Sequence, residues 1–238
     1  MGEIRLSKLM AQRGMCSRRE ADRFIERGWV LVDGEPVTTL GIRVDDTQVV
    51  ELSEQAAAQQ AGFATVLLNK PVGLVSGLPE DGHQSAIMLI ESENAQNTGE
   101  RAPNRHGLAP AGRLDIDSMG LIVFTKDGRI AKQLIGENSA IEKEYLVWAR
   151  GNIDNSALSR LRSGLTLDGK PLKNARVEHL KGSQLRFVLT EGRKRQIRRM
   201  CEQVELQVTR LIRVRIGNVM LADLPVGKWR LLRAGETF

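Results

Sequence analysis

Apolar residues recur at helical spacing near the start of the chain, over residues 5–13, which predicts a first helix that ends before Gly14. Ser17 and Glu20 have the spacing of a capping box and predict a second helix that runs to Gly28. The apolar stripe of this second helix leaves its arginines on the outer face. The chain therefore begins with two short amphipathic helices.

Strand patterns follow these helices. Residues 29–37 form two apolar stretches separated by Asp33-Gly34, which predicts a hairpin, and residues 47–52 predict a further strand. We interpret residues 1–52 as a small helix–helix–strand domain. Residues 53–62 are polar and alanine-rich, and they predict an interdomain linker, with a short surface helix as the alternative.

The remainder, residues 63–238, is rich in short strands. Two helices are predicted within it, one after Asp127-Gly128 and a basic one over residues 193–204. The predicted strands are 64–68, 120–125, 144–149, 176–180 and 185–189. Because strands and helices do not alternate regularly, the pattern favours an α+β fold with a largely antiparallel sheet.

The segment from Gly164 to Lys170 has the glycine and lysine spacing of a phosphate-binding P-loop. The next residue is Pro171, so the hydroxyl that such a loop uses to hold magnesium is missing. Asp168-Gly169 instead predicts a hairpin turn.

Composition narrows the class of protein. The chain has 238 residues, 41% hydrophobic and 27% charged, which is ordinary for a globular protein. No apolar run reaches the roughly 20 residues of a membrane helix, and no signal peptide is visible, so we expect no membrane partner. Cys16 and Cys201 are too few for a disulfide framework, which favours a reducing compartment, and no Cys/His cluster has zinc spacing.

Positive charge is concentrated in two places. Residues 181–233 carry 13 Lys and Arg against 4 Asp and Glu, and five of these cations lie in 193–199. Residues 5–27 carry seven cations against three acids. One such run is as readily a solvated basic face as a nucleic-acid site. Two separate basic surfaces favour a nucleic-acid partner.

Candidate chemistry lies in residues 112–120, where Asp115 follows Arg113 and Leu114 and a glycine stands at each end. A glycine-punctuated turn whose aspartate caps backbone amides is the commoner use of such residues. The alternative is a carboxylate nucleophile kept ionised by an arginine in a dry cleft, able to attack an electron-poor carbon.

Several motifs give the chain a resemblance to the bacterial pseudouridine synthases of the RsuA family. The first unit resembles an S4-like RNA-binding domain, and residues 63–238 resemble the catalytic domain. The S4-like motifs are Arg5-Leu6-Ser7-Lys8, Cys16-Ser17-Arg18-Arg19-Glu20-Ala21 and Gly28-Trp29-Val30. The catalytic motifs are Leu68-Asn69-Lys70-Pro71-Val72-Gly73, Gly112-Arg113-Leu114-Asp115, Lys143-Glu144-Tyr145-Leu146-Val147 and the stretch from Glu191 to Met200.

The resemblance implies an RNA-isomerising enzyme without a cofactor or metal, which we expect to act as a cytoplasmic monomer. It implies Asp115 as nucleophile, Tyr145 as the aromatic beside the extruded base, and Arg198 as the arginine paired with that aspartate. Asp117 lacks the preceding Arg-Leu and is expected to be dispensable. Lys70 is expected to support the fold or contact phosphate, and Arg113 to fill the gap left by the base. The expected RNA-binding residues are Arg5, Lys8, Arg18, Arg19, Arg23, Lys70, Arg113, Arg193, Lys194, Arg195 and Arg199.

The resemblance is strongest to the members that modify large-subunit ribosomal RNA, with a tRNA as a second substrate. Two departures bear on the choice of RNA: Ala111 replaces a larger aliphatic residue, and the loop 91–108 is long. The alternatives are a small-subunit ribosomal RNA synthase, or a non-catalytic RNA-binding assembly factor that uses the same basic surfaces.

Overall fold

A computed structural model describes residues 2–79, 82–136 and 138–238. The helices in these ranges are α1 Leu6–Gln12, α2 Arg18–Glu26, α3 Glu54–Ala61, α4 Gly128–Ile135, α5 Asn155–Arg162 and α6 Gln196–Glu202. The first strands are β1 Ile4–Arg5, β2 Val30–Val32, β3 Glu35–Val37, β4 Arg43–Val44, β5 Val50–Leu52, β6 Thr65–Lys70, β7 Ala109–Pro110 and β8 Met119–Thr125. The later strands are β9 Lys143–Arg150, β10 Thr166–Leu167, β11 Lys170–Pro171, β12 Arg176–Lys181, β13 Gln184–Leu189, β14 Gln207–Ile216, β15 Val219–Met220 and β16 Trp229–Leu231.

The N-terminal unit packs α1 and α2 beside a small sheet of order β3-β2-β5. The predicted capping box is confirmed: Ser17 Oγ accepts from the Glu20 amide, and the Glu20 carboxylate accepts from the Ser17 amide. The predicted hairpin is confirmed as well, with Asp33 and Gly34 both at positive φ between β2 and β3. These local patterns place the arginines of α2 on its exposed side.

The segment 53–62, predicted as a linker, is largely the helix α3, which is the alternative considered above. Ser53 caps it, and Ala56 is buried within the N-terminal core. The Gln60 amide donates to the Met15 carbonyl and to the Glu20 carboxylate, both at 3.0 Å. This helix therefore packs against the first unit as part of its body.

The rest of the chain is organised by a sheet of order β12-β13-β9-β14-β8-β6-β16, with β7 and β15 paired at its sides. Every pairing in it is antiparallel except that of β14 with β8, so the predicted α+β class and antiparallel sheet are confirmed. Helices α5 and α6 cover one apolar cluster of this sheet and α4 covers another. Across the described ranges, no helix has the length and apolar character that a bilayer crossing requires.

The basic helix is shorter than predicted. Residues 193–204 were expected to be helical, but α6 begins at Gln196 because Arg195 takes a left-handed conformation with φ of 54°. The Gln196 side chain accepts from the Arg193 amide and closes the turn before the helix. Arg193, Lys194 and Arg195 therefore lie on a loop. The predicted turn at Asp168-Gly169 is confirmed between β10 and β11.

Candidate active site

The loop 112–118, which carries Asp115, is held by main-chain bonds from another loop. Ser76 Oγ donates to the Leu114 carbonyl at 2.7 Å and accepts from the Leu114 amide at 2.9 Å. The Gly73 amide donates to the Ile116 carbonyl at 2.8 Å. These bonds fix Leu114 and Ile116, the two neighbours of Asp115. They therefore define the position of the Asp115 Cα without any contact to the Asp115 side chain. Ser76 was not expected from the sequence, since a single serine in a loop carries no signal.

Asp115 is partly buried, and burial raises the pKa of its carboxyl above the ordinary value. The charges of Arg195, Arg198 and Arg113 oppose this rise, while Asp117 adds to it. Within the described part of the chain, no arginine forms an ion pair with Asp115. The site thus holds a carboxylate that is desolvated, flanked by cations and free of direct hydrogen bonds from them, which suits a nucleophile.

Arg198 does not pair with Asp115, so that expectation from the sequence is wrong. Its Nε lies 3.3 Å from Asp117 Oδ2, and its Nη2 donates to the Asp117 carbonyl at 2.9 Å. Nη1 donates to the Val208 carbonyl at 3.2 Å. These two carbonyls fix the plane of the buried guanidinium and turn Nε towards Asp117. Arg198 acts on Asp115 through its charge alone.

Asp117 binds a second arginine. Arg195 Nη1 and Nη2 donate to the two Asp117 carboxylate oxygens, both at 3.0 Å, in a forked pair. Burial works to raise the pKa of Asp117, but the bonds from Arg195 and the charge of Arg198 outweigh it and lower that pKa. The two aspartates of this loop therefore have opposite environments.

Lys70 was counted among the RNA-binding residues, and the structure corrects this. Its side chain is fully buried and donates to the Pro71 carbonyl at 2.8 Å and the Ser118 carbonyl at 2.9 Å. Burial lowers the pKa of Lys70 to about 8, although Asp115 and Asp117 oppose that fall. An ammonium with no exposed surface cannot contact a phosphate, so Lys70 supports the loop from beneath.

Tyr145 lies on β9, half-buried where two apolar clusters of the sheet meet. In the sheet register it stands beside Phe187 and Arg213. The buried Arg213 donates to the Leu121 carbonyl at 2.7 Å and to the Arg113 carbonyl at 3.4 Å. Arg213 therefore ties the strand beside Tyr145 to the Asp115 loop. The sequence showed arginines alternating with apolar residues here, but nothing marked Arg213 as an inward one.

The remaining basic residues divide into exposed and engaged ones. Arg193 donates to the carbonyls of Leu167, Lys170 and Pro171 at 2.9, 3.1 and 2.6 Å. Arg199 forms a forked pair with Asp168 at 3.0 and 2.7 Å. Both were expected to contact phosphate. In the structure, Arg193 from the loop before α6 and Arg199 from α6 also fasten the β10–β11 hairpin. The exposed residues are Arg5, Lys8, Arg18, Arg19, Arg23, Arg113 and Lys194.

Other reactive groups are few in the part of the chain that the structure describes. Burial raises the pKa of Cys16 and of Cys201 to about 12, so neither thiol is a nucleophile near neutral pH. No three His, Cys, Asp or Glu side chains in the described ranges converge as metal ligands.

Comparisons with known proteins agree on both halves of the chain. Residues 64–203 match the family described as RNA pseudouridylate synthase, and residues 4–50 match the S4 domain. The chain is 37% identical to the dual-specificity RNA pseudouridine synthase RluF of Escherichia coli (strain K12), over 98% of this chain and 77% of that one. It is 32% identical to an uncharacterized RNA pseudouridine synthase of Aquifex aeolicus (strain VF5), over 99% and 93%. A crystal structure of a pseudouridylate synthase superposes with a TM-score of 0.67 at 25% identity, over 97% and 96% of the two chains.

Proposed function

The chain belongs to the RNA pseudouridylate synthase family, in its RsuA branch with an S4 domain, and on this premise we propose that it isomerises specific uridines of large-subunit ribosomal RNA with Asp115 as the nucleophile. A tRNA is the proposed second substrate, in keeping with the dual specificity named for its relative. The cytoplasm is the compartment in which we place this activity.

The observation that carries the proposal is the environment of Asp115. The reaction breaks the bond from uracil N1 to the ribose, turns the base and rejoins it through C5, so atoms are neither gained nor lost. In this proposal a carboxylate attacks either the base or the sugar, and a partly desolvated carboxylate that pairs with no side chain is a stronger nucleophile than one in water. Asp115 is such a group, whereas Asp117 is tied up in ion pairs.

A target uridine must leave its stack before it can reach Asp115, at a cost of a few kcal/mol. We assign Tyr145 to the extruded base, where its ring offers a stacking face and its phenol an acceptor for the C5 proton. We assign the exposed Arg113 to the gap left in the RNA. Arg198 supplies fixed positive charge beside the reacting carboxylate.

Mapping of pseudouridines across cellular RNA, with and without this gene, tests the proposal. Loss of one site in large-subunit ribosomal RNA, with or without a tRNA site, is the expected result. Loss of a small-subunit site would replace the proposed substrate with the alternative one. An unchanged map, together with retained RNA binding, would favour a non-catalytic assembly factor.

The exposed arginines of α2 provide a test of the N-terminal unit. We expect Arg18→Glu/Arg19→Glu to weaken RNA binding and to reduce the slope of log K against log salt by about one to two units, because two phosphate contacts are lost. Turnover on saturating RNA should stay nearly unchanged, since Asp115 lies in the other unit. Filter binding at several salt concentrations measures the slope.

A matched control reverses two exposed cations that lie outside both basic segments, Arg150→Glu/Lys173→Glu. This variant has the same change in net charge and should retain most of the salt slope. Equal slopes in both variants would count against α2 as an RNA-binding surface.

A further inference from the structure

We propose that Asp117 is a positioning residue of the synthase, which holds Arg195 and Arg198 in the places from which their charges act on Asp115. The inference rests on the proposed function of Asp115 and reverses the expectation that Asp117 is dispensable. Asp117 itself touches no reacting atom in this proposal. Its role is carried out through the two arginines.

The geometry makes Asp117 the joint between two segments far apart in sequence. Its side chain takes the fork of Arg195 and approaches Nε of Arg198, and its carbonyl accepts from Nη2 of the same Arg198. These contacts span 78 to 81 residues. The Asp115 loop is thereby fastened to the first turn of α6. No other carboxylate among the described residues pairs with either arginine.

The backbone of Arg195 supports the same conclusion. A residue with a side chain costs free energy at a φ of 54°, and such residues persist where their surroundings determine the conformation. Arg195 makes no side-chain cap to α6. The forked pair with Asp117 is the interaction that fixes this residue, and the strained turn points its guanidinium at the Asp115 loop.

Electrostatics explains why a carboxylate is needed at this position. Arg195 and Arg198 both lower the pKa of Asp115 against the effect of burial, whereas Asp117 raises it. Without a carboxylate between them the two cations repel each other, and Asp115 becomes the nearest anion for the released Arg195. A direct ion pair with Arg195 would lower the pKa of Asp115, but it would also occupy the carboxylate oxygens that attack the substrate.

Asp117→Asn tests this directly. We expect kcat to fall by about 10- to 100-fold with KM little changed, because the released Arg195 occupies the attacking oxygens of Asp115 while RNA contacts persist. The acid limb of the pH–rate profile should move to lower pH, since the repulsion from Asp117 is lost. Titration of the Asp115 carboxyl by NMR in RNA-free protein should show the same fall in its pKa.

Asp168→Asn is the matched control. It removes another forked carboxylate–arginine pair, with Arg199 of α6, at the same change in charge. This variant should keep kcat within about threefold and leave the acid limb in place, as expected for an exposed ion pair.

The outcomes separate the two proposals. An Asp117→Asn protein with wild-type kcat, or with an unmoved Asp115 titration, would overturn the positioning role. A fall in kcat that is equal at every pH would mean that Asp117 is only a structural brace, which also contradicts the proposal. A wild-type protein that forms no pseudouridine would overturn the proposed function instead, while the NMR titration would still decide the role of Asp117.

Discussion

Asp115→Asn is expected to abolish pseudouridine formation, with a fall in rate of more than about 1,000-fold, because an amide cannot replace a carboxylate nucleophile. RNA affinity should change by less than about threefold, since phosphate contacts by exposed cations dominate binding. Single-turnover assays with tritium-labelled uridine RNA measure the rate, and filter binding measures the affinity. Asn is nearly isosteric with Asp, so the loop 112–118 should keep its bonds to Ser76 and Gly73.

Asp115→Asn should also make the protein more stable. A loss of activity in this variant would then reflect the missing carboxylate and not an unfolded protein. Burial raises the pKa of Asp115, so the folded state binds its proton more tightly than the unfolded chain does. Ionisation of Asp115 therefore opposes folding at every pH above its folded pKa, and this penalty vanishes below the unfolded value of about 3.9. Asp115→Asn should raise Tm at pH 7, with the gain disappearing in acid.

Two results would contradict this account of Asp115. Full activity of the Asn variant would remove it as the nucleophile. A lower Tm at neutral pH would mean that its carboxylate stabilises the fold, as in the turn that the sequence left open as an alternative. An inactive variant with a raised Tm at pH 7 is the combination that fits a desolvated reacting group.

The sequence predicted structure correctly where the interacting residues lie close together along the chain. The capping box at Ser17 and Glu20 and the turns at Asp33-Gly34 and Asp168-Gly169 were all found as expected, because their bonds join residues at most a few positions apart. The α2 arginines face outward for the same reason. The helical spacing that buries Phe24 and Ile25 leaves them no other direction.

Interactions across long separations could not be read in this way. The motifs named Asp115 and Arg198 as a pair, yet the contact goes to a carboxylate only two residues further on. The carbonyls of Asp117 and Val208 fix the orientation of the guanidinium, and the Val208 carbonyl lies on a separate strand, β14. The sequence around residues 115 and 198 gives no indication that the Val208 carbonyl lies beside Arg198. Lys70 shows the same limit, because a charged residue beside a proline is usually exposed and this one is fully buried.

The parallel contact between β8 and β14 is the feature that joins these distant parts, and Gly120 makes it possible. An added Cβ at Gly120 would lie 2.3 Å from the Arg213 carbonyl oxygen and 2.7 Å from the Arg213 nitrogen, both main-chain atoms. The close approach brings β14, with its inward Arg213, against the end of the Asp115 loop. We therefore expect substitution of Gly120 to reduce activity as strongly as substitution of a catalytic residue does.

Gly120→Ala is expected to lower the free energy of unfolding by about 3–5 kcal/mol and to remove most activity, because the two strands must separate to admit a methyl group. Gly112→Ala is the matched control. Its φ of 108° is nearly that of Gly120, at 106°, but the nearest atom to an added Cβ is the Ile135 side chain at 3.4 Å. The control should lose only the free energy of backbone strain, about 1–2 kcal/mol. Urea unfolding of both variants measures the difference in their free energies of unfolding. Equal losses of stability would show that glycine is required at position 120 for its backbone conformation and not for the strand contact.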